Sequence, residues 1–447
     1  MKKKLVKSFL ILTCTGVVML SGGCSSSQDN QAVTFTANSE ENAQNEESAQ
    51  SEEVAQSEEA TQSEETKQIE ESEQKNESDK KEDTESSGTN SEDVNLSDTA
   101  EKATDAAANM KLGWNLGNSF DATGEWIVQY TDAANKDFET SWGNPVTPDT
   151  LMHKLKELGF RSVRIPITWN FHFDENGNID EKWMSRVKEV VDQAMAEDLY
   201  CIINIHHDTG SDGWLRASTA NYEKNKDLFA KLWQQIATEF KDYPENLLFE
   251  GFNEMLSESN EWNDPNPDNT KAINFYNQIF VDTVRATGGN NASRNLVCCT
   301  YAAAHTDKAL GGFSMPTDPA KDHLIAEVHF YSPYEFITTE GVNWTTPISV
   351  YDSYVEKSVD QVFDRIEKYF DKLNVPVIVG EFACDDKDNT QDRVKWYTQV
   401  VNRVNDMNSA AFIWDNGNGY CMGLLDRTGN GDPFPEIVSA CIEAAKE

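Results

Sequence analysis

Leu247-Leu-Phe-Glu-Gly-Phe-Asn-Glu-Met255 is a short apolar run that delivers a polar pair, Asn253 and Glu254, at its end. Leucine and phenylalanine favour a buried strand, whereas an unpaired buried carboxylate is costly, so we expect Glu254 where the strand leaves the core. A second run, Val375-Pro-Val-Ile-Val-Gly-Glu-Phe382, repeats the arrangement with Glu381. One such acid is often only a solvated loop residue, but two in equivalent places indicate a site.

Around these two runs, β-prone segments alternate with amphipathic helical patterns from about residue 100 onward. The predicted strands are Leu112–Leu116, Ser162–Ile167, Tyr200–His206, Leu247–Asn253, Asn295–Thr300, Leu324–Phe330, Val375–Glu381 and Ala410–Trp414. The predicted helices are one that begins at Thr147-Pro148-Asp149, then Lys182–Glu197, Tyr222–Phe240, Thr270–Arg285, a poorly defined one after Thr306, Tyr351–Leu373, Gln391–Met407 and Pro435–Ala445. Eight strand and helix units in about 350 residues predict an α/β fold, a (β/α)8 TIM barrel with long loops.

A doubly wound open sheet is the rival architecture. If it bound a dinucleotide it would show a Gly-rich turn after its first strand, and Gly113-Trp-Asn-Leu-Gly117 does not fit that pattern. In a barrel, functional groups come from the C-terminal ends of several strands. Polar and aromatic candidates lie in or just after the predicted strands: Asn118, Arg164, His206, His207, Asn253, Glu254, His329, Tyr331, Glu381 and Trp414.

The amino-terminal quarter of the chain has a different composition. Four lysines precede the apolar run Ser8–Leu20, and the segment ends in Leu-Ser-Gly-Gly-Cys24. This ending resembles a bacterial lipobox, which implies a signal peptide over residues 1–23, cleavage before Cys24 and a lipid on its thiol, so that the protein is tethered to the cell surface. Plain secretion is the alternative. The apolar run is shorter than the roughly 20 residues that span a bilayer, which disfavours a permanent transmembrane helix.

Residues 24–98 are rich in Glu, Ser and Gln. Residues 25–98 contain 22 acidic and 4 basic residues, a net charge of −18, with few apolar side chains. Such a segment cannot bury enough apolar surface to offset chain entropy, so it is predicted to be a disordered, self-repelling linker. The catalytic domain is then residues 99–447. The formal net charge of the whole chain, −39, would repel phosphate backbones and excludes nucleic acid as a partner.

Two glutamates at one barrel mouth suit the cleavage of a glycosidic bond. One must be protonated to help the leaving oxygen depart, and the other must be ionised to attack or to activate water. Arg164 and the nearby His and Tyr residues can hold Glu381 ionised, and Trp414 offers a flat apolar face for a pyranose ring. Structural roles stay open for both, since Arg164 can be an ion-pair member and Trp414 a core aromatic.

The order of motifs resembles glycoside hydrolase family 5, within it the endoglucanase and xyloglucanase branch. The motifs are Gly113-Trp-Asn-Leu-Gly-Asn118, Trp142-Gly-Asn-Pro145, Val163-Arg-Ile-Pro166, Ile205-His-His207, Phe252-Asn-Glu254, Val328-His-Phe-Tyr331, Gly380-Glu-Phe382 and Trp414-Asp-Asn-Gly417. The resemblance runs from about residue 105 to the C-terminus and implies a retaining β-glycanase, with a β-glucan polysaccharide as its expected partner. Met255 and Cys384 depart from the commoner pattern without removing a functional atom.

Carried over by position, the resemblance implies that Glu254 is the general acid/base and Glu381 the nucleophile. It implies that Asn253 holds the sugar 2-hydroxyl and that Tyr331 and Arg164 position the nucleophile. The other residues implied to bind substrate are Asn118, His206, His207, His329 and Trp414. Five loop tryptophans are candidates for further sugar subsites: Trp126, Trp142, Trp214, Trp262 and Trp344.

No cofactor and no metal are predicted. His206-His207-Asp208 is set aside as a metal site because neighbouring strand residues are expected to point to opposite faces and no third ligand is spaced for zinc. Six cysteines would remain after Cys14 leaves with the signal and Cys24 is lipidated: Cys201, Cys298, Cys299, Cys384, Cys421 and Cys441. Buried free thiols are expected, although other disulfides stay possible outside the cell.

The sequence thus predicts a monomeric, surface-tethered endo-β-1,4-glucanase that acts by double displacement. The same machinery acting mainly on xyloglucan, mixed-linkage glucan or mannan is the enzymatic alternative, because the loop residues that meet side branches are not reported by motifs. A non-catalytic glycan-binding protein on a glycosidase barrel is the alternative of another class. The presence of both Glu254 and Glu381 argues against it, since a pure binder needs no acid and nucleophile together.

Overall fold

A computed structural model describes residues 100–211, 213–339 and 346–446. The predicted signal segment 1–23, the predicted linker 24–98 with Cys24, and Trp344 lie outside these residues. Eight parallel strands form a closed barrel in chain order. The strands are β1 (Leu112–Leu116), β2 (Ser162–Ile165), β3 (Tyr200–Asn204), β4 (Leu247–Glu250), β5 (Leu296–Cys299), β6 (Leu324–Phe330), β7 (Val377–Phe382) and β8 (Ala411–Asp415). The predicted TIM barrel is confirmed.

Helices lie before the first strand, between successive strands and after the last strand in the sequence. They are α1 (Ala103–Met110), α2 (Glu125–Tyr130), α3 (Asn135–Glu139), α4 (Leu151–Leu158), α5 (Glu181–Ala196), α6 (Thr219–Glu239), α7 (Pro267–Ala286), α8 (Asp307–Gly312), α9 (Tyr334–Ile337), α10 (Ser353–Leu373), α11 (Thr390–Asp406) and α12 (Pro435–Ala444). Several begin at a polar N-cap; Asn266, for example, accepts the backbone N–H groups of Asp268 and Asn269 at the start of α7, where Pro267 occupies the first turn. None of the helices in the described ranges is long and apolar enough to cross a membrane.

Several predicted boundaries were wrong, and two of them show why. The helix predicted to begin at Thr147-Pro148-Asp149 begins at Leu151. The reason is tertiary, since the Thr147 carbonyl accepts a hydrogen bond from Arg186, while the Leu151 N–H donates to the Pro148 carbonyl instead. The ladder of β4 ends at Glu250 rather than at Asn253, although the Asn253 N–H still donates to the Ile205 carbonyl 2.8 Å away.

The barrel interior has an apolar floor and a polar upper layer. The floor is formed by Ile202, Leu248, Val297, Ile325, Ile378 and Phe412, and buried residues of α1, among them Ala106 and Met110, pack against it. Two positions further along several strands, the inward side chains become polar: Asn204, Glu250, Cys299 and Glu327 follow Ile202, Leu248, Val297 and Ile325. Because every second residue of a strand points inward, these polar side chains lie one inward position nearer the C-terminal mouth than the apolar ones.

The six described cysteines, Cys201, Cys298, Cys299, Cys384, Cys421 and Cys441, are all buried free thiols. This agrees with the expectation of buried free thiols.

Candidate active site

Glu254 and Glu381 meet at the C-terminal mouth of the barrel, on either side of His329. The His329 Nδ1 atom lies 2.8 Å from Glu254 Oε1 and 3.5 Å from Glu381 Oε2. One carboxylate oxygen of each glutamate and a ring nitrogen of His329 all lie within 4.8 Å of one another. The structure therefore brings together two carboxylates that are 127 positions apart in the sequence by way of a single imidazole.

The arrangement of β7 explains how Glu381 reaches the mouth. The register of β6 and β7 shifts between Val328 and His329, so that His329 pairs with Glu381. Phe382 packs in the outer core, whereas a Cβ atom added to Gly380 would lie 1.5 Å from Glu327 Oε1. Two consecutive residues, Gly380 and Glu381, thus face the barrel interior, and only glycine leaves room for the Glu327 carboxylate.

Arg164 on β2 connects the two halves of the site. Its guanidinium is fully buried and donates two hydrogen bonds to Glu250, at 2.6 and 2.7 Å. It donates further bonds to Glu381 (2.8 Å), Asn253 (2.9 Å) and Asn115 (3.0 Å). A planar group with five donors is suited to this task, because it fixes both the nucleophile candidate and Asn253 in one plane.

The charge of Glu381 is set by opposing effects. The net pKa of Glu381 is raised to about 7, because the effect of burial outweighs the positive charges of His329 and Arg164, which lower it. The Tyr331 hydroxyl donates to Glu381 Oε2 at 2.9 Å, which also favours the ionised form. Glu381 therefore changes its protonation state close to neutral pH.

His329 is a cation in this environment. Burial lowers the pKa of its imidazole, but the neighbouring carboxylates, led by Glu381, raise it to about 10. The ring lies between three acids, since Nε2 is also 3.4 Å from Glu327 Oε1.

Two buried acids below the mouth were missed by the sequence reasoning. Glu250 and Glu327 are both fully buried and form a lower tier beneath the Glu254 and Glu381 pair. Each is the one charged residue in its β-strand run, Leu-Leu-Phe-Glu and Leu-Ile-Ala-Glu-Val. Because a buried acid must have partners, a single acid in an apolar strand run is the sequence signal that could have identified both residues.

His206 and Trp414 line another side of the mouth. Their rings are stacked, with centroids 5.8 Å apart and an angle of 5° between planes. Burial holds the pKa of His206 well below its usual value, so the ring is neutral. Its Nδ1 lies 3.1 Å from the Asn204 amide nitrogen, which leaves Nε2 as the N–H donor.

The expectation that His206 and His207 face opposite ways was wrong. Their ring centroids are 4.5 Å apart, because β3 ends at Asn204 and the strand alternation does not extend to these residues. His207 also lies 5.4 Å from the Trp142 ring, so Trp142 belongs to this side of the mouth. Burial lowers the pKa of His207 to about 4.

Asn118 lies in the loop after β1, buried and with a positive φ of 58°. Its Oδ1 atom is buried and accepts no hydrogen bond from the described residues. The loop is held from two sides, since Asn144 donates to the Asn118 carbonyl and Arg427 donates to the Gly117 carbonyl and to Asp415. Asp415 follows Trp414, so the hydrogen bond from Arg427 also holds the Trp414 segment in place.

A cavity of about 220 Å³ opens beside Glu254, away from Trp414. Its lining includes Trp262, Asn263, His305 and Tyr334. Trp262 is thus placed at the site. The Trp214 indole N–H instead donates to Asp208, a loop-anchoring role, and Trp126 is 45% exposed on α2.

Three groups of described side chains bring candidate metal ligands within 4.8 Å: Asp121, His206 and His207; Glu250, Cys299 and Glu327; Glu254, His329 and Glu381. The last two groups are already matched by Arg164 and His329 as cations. In the first, Asp121 accepts the backbone N–H groups of Asn118 and Ser119. Ion pairs or hydrogen bonds thus involve members of all three groups, and the absence of a metal stays a prediction.

Of the ten residues predicted for the site, six form one cluster that is joined by hydrogen bonds and by the His329–Glu381 ion pair: Arg164, Asn253, Glu254, His329, Tyr331 and Glu381. His206, His207 and Trp414 form a row of rings at the same mouth, and Asn118 lies in the loop after β1.

Comparison with known proteins agrees with this geometry. Residues 120–419 match the family model described as cellulase (glycosyl hydrolase family 5). Endoglucanase B of Neocallimastix patriciarum is 37% identical over 345 residues, which cover 75% of this chain and 70% of that protein. A glycoside hydrolase family 5 enzyme from Prevotella bryantii B14, solved with a xyloglucan tetradecasaccharide, is 38% identical with a TM-score of 0.70, over 78% of this chain and 99% of that one.

A broad-specificity endoglucanase from Ruminococcus champanellensis, solved with bound cellotriose, has a TM-score of 0.71 and 36% identity, over 76% of this chain and 98% of that one. The family match extends over most of the barrel and includes both Glu254 and Glu381. This chain belongs to glycoside hydrolase family 5, the cellulase family, and is a glycoside hydrolase.

Proposed function

We propose that the protein is a retaining endo-β-1,4-glucanase that hydrolyses internal bonds of β-glucans by double displacement. The observation that carries the proposal is the separation of the two carboxylates, whose nearest oxygens lie within 4.8 Å. Retaining glycosidases place their carboxyl groups about 5–5.5 Å apart, whereas inverting enzymes need about 6.5–9.5 Å to admit a water molecule. A nearest-oxygen distance within 4.8 Å is compatible with the shorter separation, and together with the family match it supports direct attack by one of the glutamates.

In the first step Glu381, held by Arg164 and Tyr331, attacks the anomeric carbon. The bond to the leaving oxygen breaks as Glu254 donates a proton to that oxygen, and a glycosyl ester forms on Glu381. In the second step Glu254, now ionised, takes a proton from water, whose oxygen attacks the anomeric carbon and releases Glu381. The enzyme returns to its starting protonation state.

The remaining groups are assigned to substrate binding. Asn253 accepts a hydrogen bond from Arg164 through Oδ1, so its amide N–H groups are left to donate to the sugar 2-hydroxyl. Trp414 supplies an apolar face for the sugar at the cleavage point, and neutral His206 donates to a hydroxyl group. The row of rings that includes His207 lies at the same mouth as the cavity lined by Glu254, which supports binding of several sugar units and hence cleavage within a chain rather than at its end.

Replacing the nucleophile tests the mechanism. We expect Glu381→Gln to lower the release of reducing sugar from soluble β-glucan by at least about 10⁴-fold, because no glycosyl ester can form. Binding of the same glucan, measured by affinity electrophoresis, should persist, since the Arg164 and Trp414 contacts remain. Unchanged turnover in this variant would refute the assignment and would favour a non-catalytic glycan-binding role.

Xyloglucan is the second candidate substrate. The Prevotella bryantii structure contains a xyloglucan oligosaccharide, and a xyloglucan-specific endo-β-1,4-glucanase solved with cellotriose is 35% identical to this chain. Reducing-sugar release from barley glucan, xyloglucan, carboxymethyl cellulose and mannan ranks the candidates. A rate on xyloglucan at least about tenfold above the others would assign the chain to xyloglucan, whereas a rate below that on barley glucan would assign it to linear glucans.

We also propose that the enzyme is a monomer tethered to the cell surface through a lipid on Cys24. The support is the Leu-Ser-Gly-Gly-Cys24 sequence and the acidic linker that follows it. Incorporation of labelled palmitate in a bacterial host, lost in Cys24→Ser, tests the anchor; a soluble protein without label would favour plain secretion. Light scattering of the released enzyme tests the monomer.

A further inference from the structure

Glu327 lies directly beneath His329 and is not one of the groups that touch the scissile bond. It is fully buried on β6, with Oε1 3.4 Å from His329 Nε2 and 3.7 Å from Arg164 Nε. Its Oε2 accepts the Cys299 thiol at 3.2 Å. The Arg164 guanidinium is a permanent cation beside this carboxyl group and favours its ionised form; in agreement, the pKa of Glu327 is lowered, because the charge of Arg164 and the His329 contact outweigh burial.

The other ring nitrogen of His329 faces the acid/base. Nδ1 lies 2.8 Å from Glu254 Oε1, and among the described residues His329 is the one side chain within hydrogen-bonding distance of the Glu254 carboxyl group. Glu381 is held differently, since Arg164 and Tyr331 both donate to it. A disturbance of His329 therefore changes a hydrogen bond to Glu254, whereas it reaches Glu381 only through charge, with the Arg164 and Tyr331 bonds to Glu381 still in place.

We propose that Glu327 is a positioning residue that keeps His329 protonated on both ring nitrogens, with Nε2–H next to the Glu327 carboxylate as an ion pair and Nδ1–H donating to Glu254. The inference rests on the proposed retaining hydrolysis. With Nδ1–H donating to Oε1, the acidic proton of Glu254 stays on Oε2, from which it is given to the leaving oxygen. An unprotonated Nδ1 would accept that proton and withhold it from the substrate.

His329 keeps both protons through the whole reaction in this scheme. After the first step Glu254 is ionised, and the Nδ1–H bond to it becomes a bond between opposite charges, which stabilises the product of proton donation. Glu327 supplies the counter-charge from below. The charged and titratable groups around the ring are Glu254 after β4, Glu327 on β6, Glu381 on β7, Arg164 on β2 and His206 after β3.

The test is the isosteric variant Glu327→Gln in the full chain, assayed on two substrates. Soluble β-glucan has a poor leaving group and needs the proton from Glu254, whereas 2,4-dinitrophenyl β-cellobioside does not. We expect a loss of at least about tenfold in kcat/KM for the glucan and of less than about threefold in the rate of dinitrophenol release. Equal losses on both substrates would overturn the proposal and leave Glu327 a purely structural residue.

Glu250→Gln is the matched control. Glu250 is an equally buried glutamate of the same tier, but it bonds to Arg164 and Asn204 rather than to His329. Because Arg164 holds the nucleophile, this variant should lose activity on both substrates by a similar factor. If Glu250→Gln also lost activity on the glucan alone, the effect would not pass through His329.

Nitrogen-15 NMR of labelled histidine provides a readout that is independent of activity. The chain has 7 histidines, and the His329 signals are assigned from their loss in His329→Gln. In Glu327→Gln, His329 should release a proton at least about one pH unit lower than in the unmodified protein. An unchanged titration of His329 would overturn the pairing of Glu327 with His329, even if activity on the glucan fell. If the unmodified enzyme hydrolyses neither substrate, the proposed function fails, while the titration still decides the pairing.

Discussion

Replacement of Arg164 by lysine should separate the positive charge of this residue from its geometry. The guanidinium donates five hydrogen bonds inside the barrel, two to Glu250 and one each to Glu381, Asn253 and Asn115. An ammonium group has only three donors on a flexible stem, so at least two of these bonds are lost in Arg164→Lys. The charge remains, but Glu381 and Asn253 are no longer fixed in one plane.

The size of the effect follows from the bonds lost. A hydrogen bond to a charged group contributes about 1.5–3 kcal/mol, so the loss of two lowers the free energy of unfolding by about 3–6 kcal/mol. That is a large part of the roughly 5–15 kcal/mol that stabilises a typical domain. For the folded fraction, kcat/KM on β-glucan should fall by about 10²-fold or more, because the nucleophile is no longer held in its attacking position.

Urea unfolding and kinetics on the same preparations measure both effects. Arg294→Lys is the matched control, since Arg294 is also buried and donates five hydrogen bonds, to Asn291 and to the carbonyl groups of Phe240, Tyr243, Pro244 and Leu247. It lies before β5, at the opposite end of the barrel from the mouth. Both variants should lose stability, but only Arg164→Lys should lose kcat/KM per folded molecule. Equal kinetics in the two variants would refute the positioning role of Arg164.

Two further predictions concern pH and the linker. Burial raises the pKa of Glu381 to about 7 and the nucleophile must be ionised, so kcat/KM on β-glucan should fall about tenfold per pH unit below that value; a flat profile down to pH 5 would contradict it. Removal of residues 25–98 should leave the rate on soluble β-glucan nearly unchanged, because an acidic segment with few apolar residues is predicted to add no group to the barrel mouth; a large loss would show that this segment folds or binds.

Much of the barrel could be predicted from the sequence because its strands are short apolar runs bounded by polar residues. All eight predicted strands coincide with observed ones, with ends that differ by up to three residues. One boundary error arises where a tertiary contact overrides local preference, at Thr147, whose carbonyl accepts a hydrogen bond from Arg186. The assumption of strict alternation also failed beyond Asn204, where β3 had already ended and His206 and His207 come to lie side by side.

By itself, the sequence determined which residues stand at the strand ends, because apolar periodicity and motif order are local properties of the chain. It was enough for the barrel, the family and a list of ten site residues. Only the tertiary structure decided how those residues are paired, since hydrogen bonds and charges act through space between strands that are far apart in the sequence. Glu250 and Glu327 read as isolated acids in apolar runs; in the folded barrel they lie against Arg164 and His329, directly beneath Glu254 and Glu381.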